Sequence, residues 1–74
     1  MDIRISNPQD LGIALGRARK AASLTQAEVA GKADVRQATV SKVESGDQGV
    51  RLETVLSLIE ANDLELIVRS KTSR

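Results

Sequence analysis

The chain contains no cysteine, histidine, tryptophan, tyrosine or phenylalanine. Without cysteine there are no disulfides, and without cysteine and histidine the common metal-ligand sets are missing, so neither metal nor cofactor is expected. The same gaps remove the usual nucleophiles and general bases. An enzyme built from this alphabet would have to work with Ser, Lys and carboxylates, and no nucleophile–base pair stands out, so no catalytic residue is assigned and no enzyme is expected. Long apolar runs are absent too: nothing approaches the roughly 18 residues of a membrane span, and residues 1–10 lack a signal-peptide core. A cytoplasmic protein with no membrane contact is the expectation.

What is present is 74 residues with a net charge of +1. That length makes one domain, residues 1–74, close to the lower limit for folding alone, where burying extra apolar surface in a dimer is useful. The charge is small but unevenly spread. From Leu15 to Val43 the basic residues are Arg17, Arg19, Lys20, Lys32, Arg36 and Lys42, against Glu28 and Asp34. From Glu44 to Glu65 the acids are Glu44, Asp47, Glu53, Glu60, Asp63 and Glu65, against Arg51 alone. Such a chain can turn a positive face to phosphate while its far side stays negative.

Helical signals dominate between residues 7 and 62. The lone proline, Pro8, follows Asn7, which reads as an N-cap with proline in the first helical position and Asp10 in the first turn. Leu11, Ala14, Leu15, Ala18 and Ala22 then form one apolar face, and Gly12 and Gly16 in that helix mark either close packing or mere tolerance. "TQAE" from Thr25 to Glu28 is a capping box for a second helix with Val29, Ala30 and Ala33 inward. A third helix is predicted from about Arg36 to Glu44 and a fourth from about Leu52 to Asn62, its inner face formed by Leu52, Val55, Leu56 and Ile59 and extended by Leu58. "SGDQG" between them is a loop. The chain ends differently: in "LELIVR" Leu64, Leu66 and Val68 alternate with Glu65, Ile67 and Arg69, the period of a strand. A lone strand leaves its edges unsatisfied, so residues 64–69 should pair with "IRIS" near the N-terminus or with a second subunit. Residues 70–74 read as a flexible tail.

The second and third helices carry the functional signal. Counting from Gln26 as position one, small Ala30 falls at five, turn residue Asp34 at nine, and Val35, Val40 and Val43 at ten, fifteen and eighteen. Val29 and Ala33 complete the pattern at four and eight. This is a helix-turn-helix spacing. Position five must be small because the second helix crosses close over it, and position nine must tolerate left-handed dihedrals, which Asp does less easily than Gly. With the valines inward, Arg36, Gln37, Ala38, Ser41 and Lys42 face outward, and no acid lies among them. Arg and Gln can make bidentate contacts to base edges in a major groove, and Ala can pack on a thymine methyl. Lys42 suits a phosphate, as does Thr39, which could otherwise touch a base methyl. Arg17, Arg19 and Lys20 either add phosphate contacts or form a solvated face, and Glu44 ties the helix end to the core or to a neighbouring Arg.

The stretch "LTQAEVAGKADVRQATVSKVESG" resembles the Xre/lambda-repressor-like family, and "RQATVSKVESG" followed by "LETVLSLIEANDLELIV" is similar to HipB-type antitoxins over about residues 8–69. Two positions depart from the family pattern: Asp34 stands where Gly is usual, and Arg36 where Ser or Thr usually caps the helix. The resemblance implies an all-α, lambda-repressor-like bundle of four or five helices, with a C-terminal strand pairing with its twin across a dimer through Leu64, Leu66, Ile67 and Val68. It further implies a homodimeric repressor on palindromic double-stranded operators and a HipA-like kinase toxin as partner. Arg36, Gln37, Ala38 and Ser41 would then meet bases, while Thr25 and Gln26 would meet phosphate at the start of the second helix. Two rival readings are a free-standing Xre-type regulator without a toxin and a protein-interaction adaptor that has lost DNA binding.

Overall fold

A computed structural model of the chain describes residues 2–72, which form four helices: α1 (Pro8–Ala21), α2 (Gln26–Ala33), α3 (Gln37–Glu44) and α4 (Leu52–Ala61). The first two start as their sequences predict. Asn7 accepts the Asp10 backbone N–H at 2.8 Å, and the Ser6 N–H donates back to the Asp10 carboxylate at 3.0 Å. Thr25 accepts the Glu28 N–H at 3.0 Å while its own N–H donates to Glu28 Oε1 at 2.9 Å, completing the capping box. These bonds hold the Glu28 carboxyl below its ordinary range, the backbone N–H of Thr25 contributing most. α3 and α4 start on Arg36 and Arg51, neither of which caps through its side chain.

The four helices stop in the same way. After each comes a residue at positive φ, namely Ser23, Asp34, Gly46 and Asp63. The next N–H then reaches back five residues: Leu24 to Arg19, Val35 to Ala30, Asp47 to Lys42 and Leu64 to Ile59, each at 3.0 Å. This is the Schellman closure, which satisfies otherwise orphaned carbonyls and turns the chain inward. In three cases the residue turned inward is apolar, and Leu24, Val35 and Leu64 all pack against the core.

That core is built from aliphatics alone: Leu15 of α1, Val29 and Ala30 of α2, Val40 and Val43 of α3, and Leu58 and Ile59 of α4. Val29 is fully buried, and Leu58 is 1 % exposed. α3 packs on both α1 and α2, and α4 packs on α2. The two glycines of α1 play different parts. A Cβ on Gly12 would lie 2.5 Å from the Glu44 carbonyl oxygen and 2.6 Å from that of Val43, so α1 crosses the end of α3 too closely for a side chain. A Cβ on Gly16 would meet only the Glu44 carboxylate, at 3.5 Å.

The structure departs from the sequence-based expectations at several points. Ala22 lies past the end of α1 and is exposed. α4 turns Leu58 and Ile59 inward and leaves Leu52 and Leu56 exposed, at 67 % and 44 %. The helices number four among the described residues, within the expected four or five, and α3 begins at Gln37 with Arg36 outside it. Neither residues 2–6 nor residues 64–70 form a strand within the chain. Leu64 reaches the core, but Leu66, Ile67 and Val68 are 53 %, 60 % and 96 % exposed. The physical reason is that an extended segment needs a neighbouring strand for its N–H and C=O groups, and this fold offers none internally.

Candidate nucleic-acid interface

The turn between α2 and α3 fixes how the two helices are presented. Asp34 adopts φ 57° and ψ 46°, the left-handed conformation that the helix-turn-helix spacing requires at this position. Val35 drops into the core behind it, and Arg36 re-enters an extended conformation to start α3. Val40 and Val43 are buried on the inner side of α3. By elimination, its other face is free. Arg36, Gln37, Ala38, Ser41 and Lys42 are all exposed, and Thr39 is half-buried at the margin. Among the described residues, none of the Arg36, Gln37, Ser41 or Lys42 side chains has a hydrogen-bond partner, so their donors and acceptors are available. Arg36 at the start of α3, with Gln37, Ala38 and Ser41 along it, can read base edges, and no acid lies between Arg36 and Val43 to repel phosphate.

The predicted phosphate residues of α2 are placed beside this face. Thr25 is exposed, with its hydroxyl oxygen accepting the Glu28 N–H as the cap. Gln26, the first residue of α2, is half-buried and reaches the far end of α3, where its Nε2 donates to Glu44 Oε1 at 3.1 Å. The start of α2 therefore adjoins the turn of α3 that carries Ser41 and Lys42. One of the two amide N–H donors of Gln26 is engaged there.

Glu44 itself is held by Arg19 of α1. Arg19 Nε lies 2.7 Å from Glu44 Oε2 and Nη2 lies 3.0 Å from Oε1, a two-point contact, while Nη1 donates to the Leu24 carbonyl at 2.9 Å. Both side chains are largely shielded, at 12 % and 13 % exposure. Burial pushes the Glu44 carboxyl up, but the hydrogen bonds from Arg19 and Gln26, with the charges of Arg19 and Lys20, outweigh it and hold the group below the usual carboxylate range. The hydrogen bond to Glu44 raises Arg19 in turn. Of the two sequence readings for Arg19, phosphate contact or solvated face, neither describes this internal bridge. Glu44, tied to a neighbouring Arg as expected, also joins the candidate interface through Gln26. The partners are 25 and 18 residues apart in the chain, so no local pattern joins them.

The helix-turn-helix domain family matches residues 10–67, and the chain belongs to it. More narrowly, it has the DNA-binding regulator fold of the Xre and HipB type. HipB in the HipA–HipB–O2–O3 complex is 26 % identical, with a TM-score of 0.86 over 93 % of this chain and 97 % of that one. A HipB variant in complex with an O2 20mer is also 26 % identical, with a TM-score of 0.88 over 97 % of this chain and all of that one. The restriction-modification controller protein C.AhdI from Aeromonas hydrophila is 31 % identical, with a TM-score of 0.72 over 78 % of this chain and 88 % of that one. No curated protein sequence matches the chain. No helix among the described residues is long and apolar enough to cross a membrane.

Proposed function

We propose that this chain is a cytoplasmic transcriptional repressor that binds palindromic operators as a homodimer and serves as the antitoxin of a HipA-like kinase toxin. The observation that carries the DNA-binding part is the unoccupied outer face of α3, where Arg36, Gln37, Ala38 and Ser41 are assigned to bases. Lys42, Thr39, Thr25 and Gln26 are assigned to phosphates on either side. A dimer is supported by the exposed Leu66, Ile67 and Val68, which as a strand would find in a second copy the edge partner they lack. The exposed Leu52 and Leu56 of α4 would add apolar area to such a contact. The antitoxin role is supported by likeness along nearly the whole chain to HipB in its complex with HipA.

The likeness to C.AhdI favours a second reading, a free-standing regulator with no toxin. An adaptor without DNA binding is disfavoured by the basic and amide side chains of α3, since such a role would be better served by an acidic or apolar face. Selection of bound duplexes from a random pool, with purified protein, tests the DNA reading. A two-fold consensus with half-sites about one helical turn apart is expected, and recovery of no consensus contradicts it. Co-purification with the product of the neighbouring gene separates the two regulator readings: a kinase held in a stable complex supports the antitoxin, and its absence supports the free-standing regulator.

A further inference from the structure

We propose that the apolar cleft between the N-terminal segment and the α3–α4 loop receives the C-terminal segment of a second copy of this chain. Leu66 and Val68 of that copy enter the cleft, and its Arg69 meets Asp47 at the rim. The inference rests on the dimer reading above and names the surface on which the exposed segment lands. The cleft has a volume of about 350 Å³ and is walled by Ile5, Pro8, Leu11, Val43, Val50 and Val55. An apolar cavity of about 150 Å³ already accepts a benzene-sized group, so there is room here for two aliphatic side chains.

Three observations select this occupant. The chain's own segment does not fill the cleft, since it leaves the far end of α4 with Leu66 and Val68 exposed. Charge is the second. Asp47 is the one ionisable residue among those lining the cleft. Its Oδ1 accepts the Gly49 N–H at 2.7 Å, and among the described residues Asp47 forms no ion pair. Arg69 follows Val68 directly and is likewise unpaired among the described residues. The third is continuity: Val55 adjoins Leu56 and stands one turn from Leu52, both exposed and already assigned to the subunit contact. In an extended segment Leu66 and Val68 share one face, so they can enter together. Arg69 leaves from the other face, but its long stem can cross the strand edge and carry the guanidinium to the rim. The backbone edge stays free to pair with its twin, and two-fold symmetry makes the contact twice per dimer.

Because the chain has no cysteine, disulfide trapping reads the contact cleanly. Gln48 lines the cleft, and both Gln48 and Val68 are exposed, so neither substitution disturbs the core. Gln48→Cys chains are co-expressed with Val68→Cys chains that carry a size tag, and the mixture is oxidised. A disulfide joining one chain of each kind is expected, since the proposed contact brings the two positions within the roughly 7 Å that a bridge requires. Absence of this mixed product would overturn the proposal. So would a purely intramolecular bridge in the chain carrying both substitutions, which would put its own segment in the cleft. Sedimentation of uncrosslinked variants gives the second readout. Asp47→Asn keeps the acceptor for the Gly49 N–H but loses the charge, and should weaken the dimer about three- to tenfold, a rim ion pair being weak but lost twice. In an Arg69→Gln background the same substitution should have almost no effect, and equal losses in both backgrounds would overturn the pairing. A native chain that stays monomeric at every concentration would defeat the dimer reading itself; a native dimer that fails these tests would defeat this proposal alone.

Discussion

Arg36 occupies the N-cap of α3, where Ser, Thr, Asp or Asn would accept a backbone N–H, and its side chain makes no such bond. An uncapped helix start is a local loss of stability of about 1 kcal/mol, and it falls on the one helix whose outer face is assigned to DNA. Arg36→Ser should therefore raise the unfolding free energy by about 0.5–1 kcal/mol while weakening operator binding, a trade between stability and function. Thermal melting and operator titration of the same preparation check it; a variant that is both more stable and equally tight would remove Arg36 from the interface. Gln37 and Lys42 divide the labour differently. Gln37→Ala should lose about 1–3 kcal/mol on the preferred sequence and little on random DNA, whereas Lys42→Ala should weaken both alike. Paired titrations on the two DNAs separate these behaviours, and identical profiles would merge the base and phosphate roles.

Among the elements, α1 and α3 meet at Gly12 too closely for a side chain. Gly12→Ala would press a methyl into the carbonyls of Val43 and Glu44, at 2.5–2.6 Å, and should destabilise by about 1–3 kcal/mol despite the better helix propensity of alanine. Gly16→Ala faces only an ordinary contact at 3.5 Å and should be neutral or stabilising by up to about 1 kcal/mol. Chemical denaturation of both variants provides the check; losses of equal size would mean that α1 does not sit on α3 as described. The same contacts show what could be read from the chain alone. The α2–turn–α3 unit was legible because close crossing and a left-handed turn restrict Ala30, Asp34, Val35, Val40 and Val43 at fixed spacing. The two possible roles of glycine in α1 could not be resolved, since the answer depends on carbonyls some thirty residues away. In α4, Leu52, Val55, Leu56, Leu58 and Ile59 are apolar on nearly every side, so periodicity could not tell the core face from the exposed one. The Arg19–Glu44–Gln26 bridge was beyond local pattern for the same reason as Gly12. A more general signal is present in Ser23-Leu24, Asp34-Val35 and Asp63-Leu64, where a small polar residue at positive φ precedes an apolar one and marks where a helix closes on the core.

At the scale of the whole molecule, an aliphatic core and a short chain leave little stability to spare, of the order of 5 kcal/mol. The exposed segment from Glu65 to Ser70 is where a second copy would add to it. Ile67→Pro would remove a donor N–H from a shared ladder, and the variant should sediment as a monomer or partly unfold. Each half-site would then be bound without the gain from linkage, and operator affinity should fall far more than one lost contact explains. Sedimentation of a dimer of unchanged strength would place the subunit interface elsewhere. The central claim, that the α3 face and its flanking residues grip a DNA backbone, is tested most directly by titrating operator affinity against salt. Neutralising about five to eight phosphates per dimer predicts a fall of log affinity with log salt at a slope of about −4 to −7. Affinity indifferent to salt, or no binding to any sequence, would contradict it.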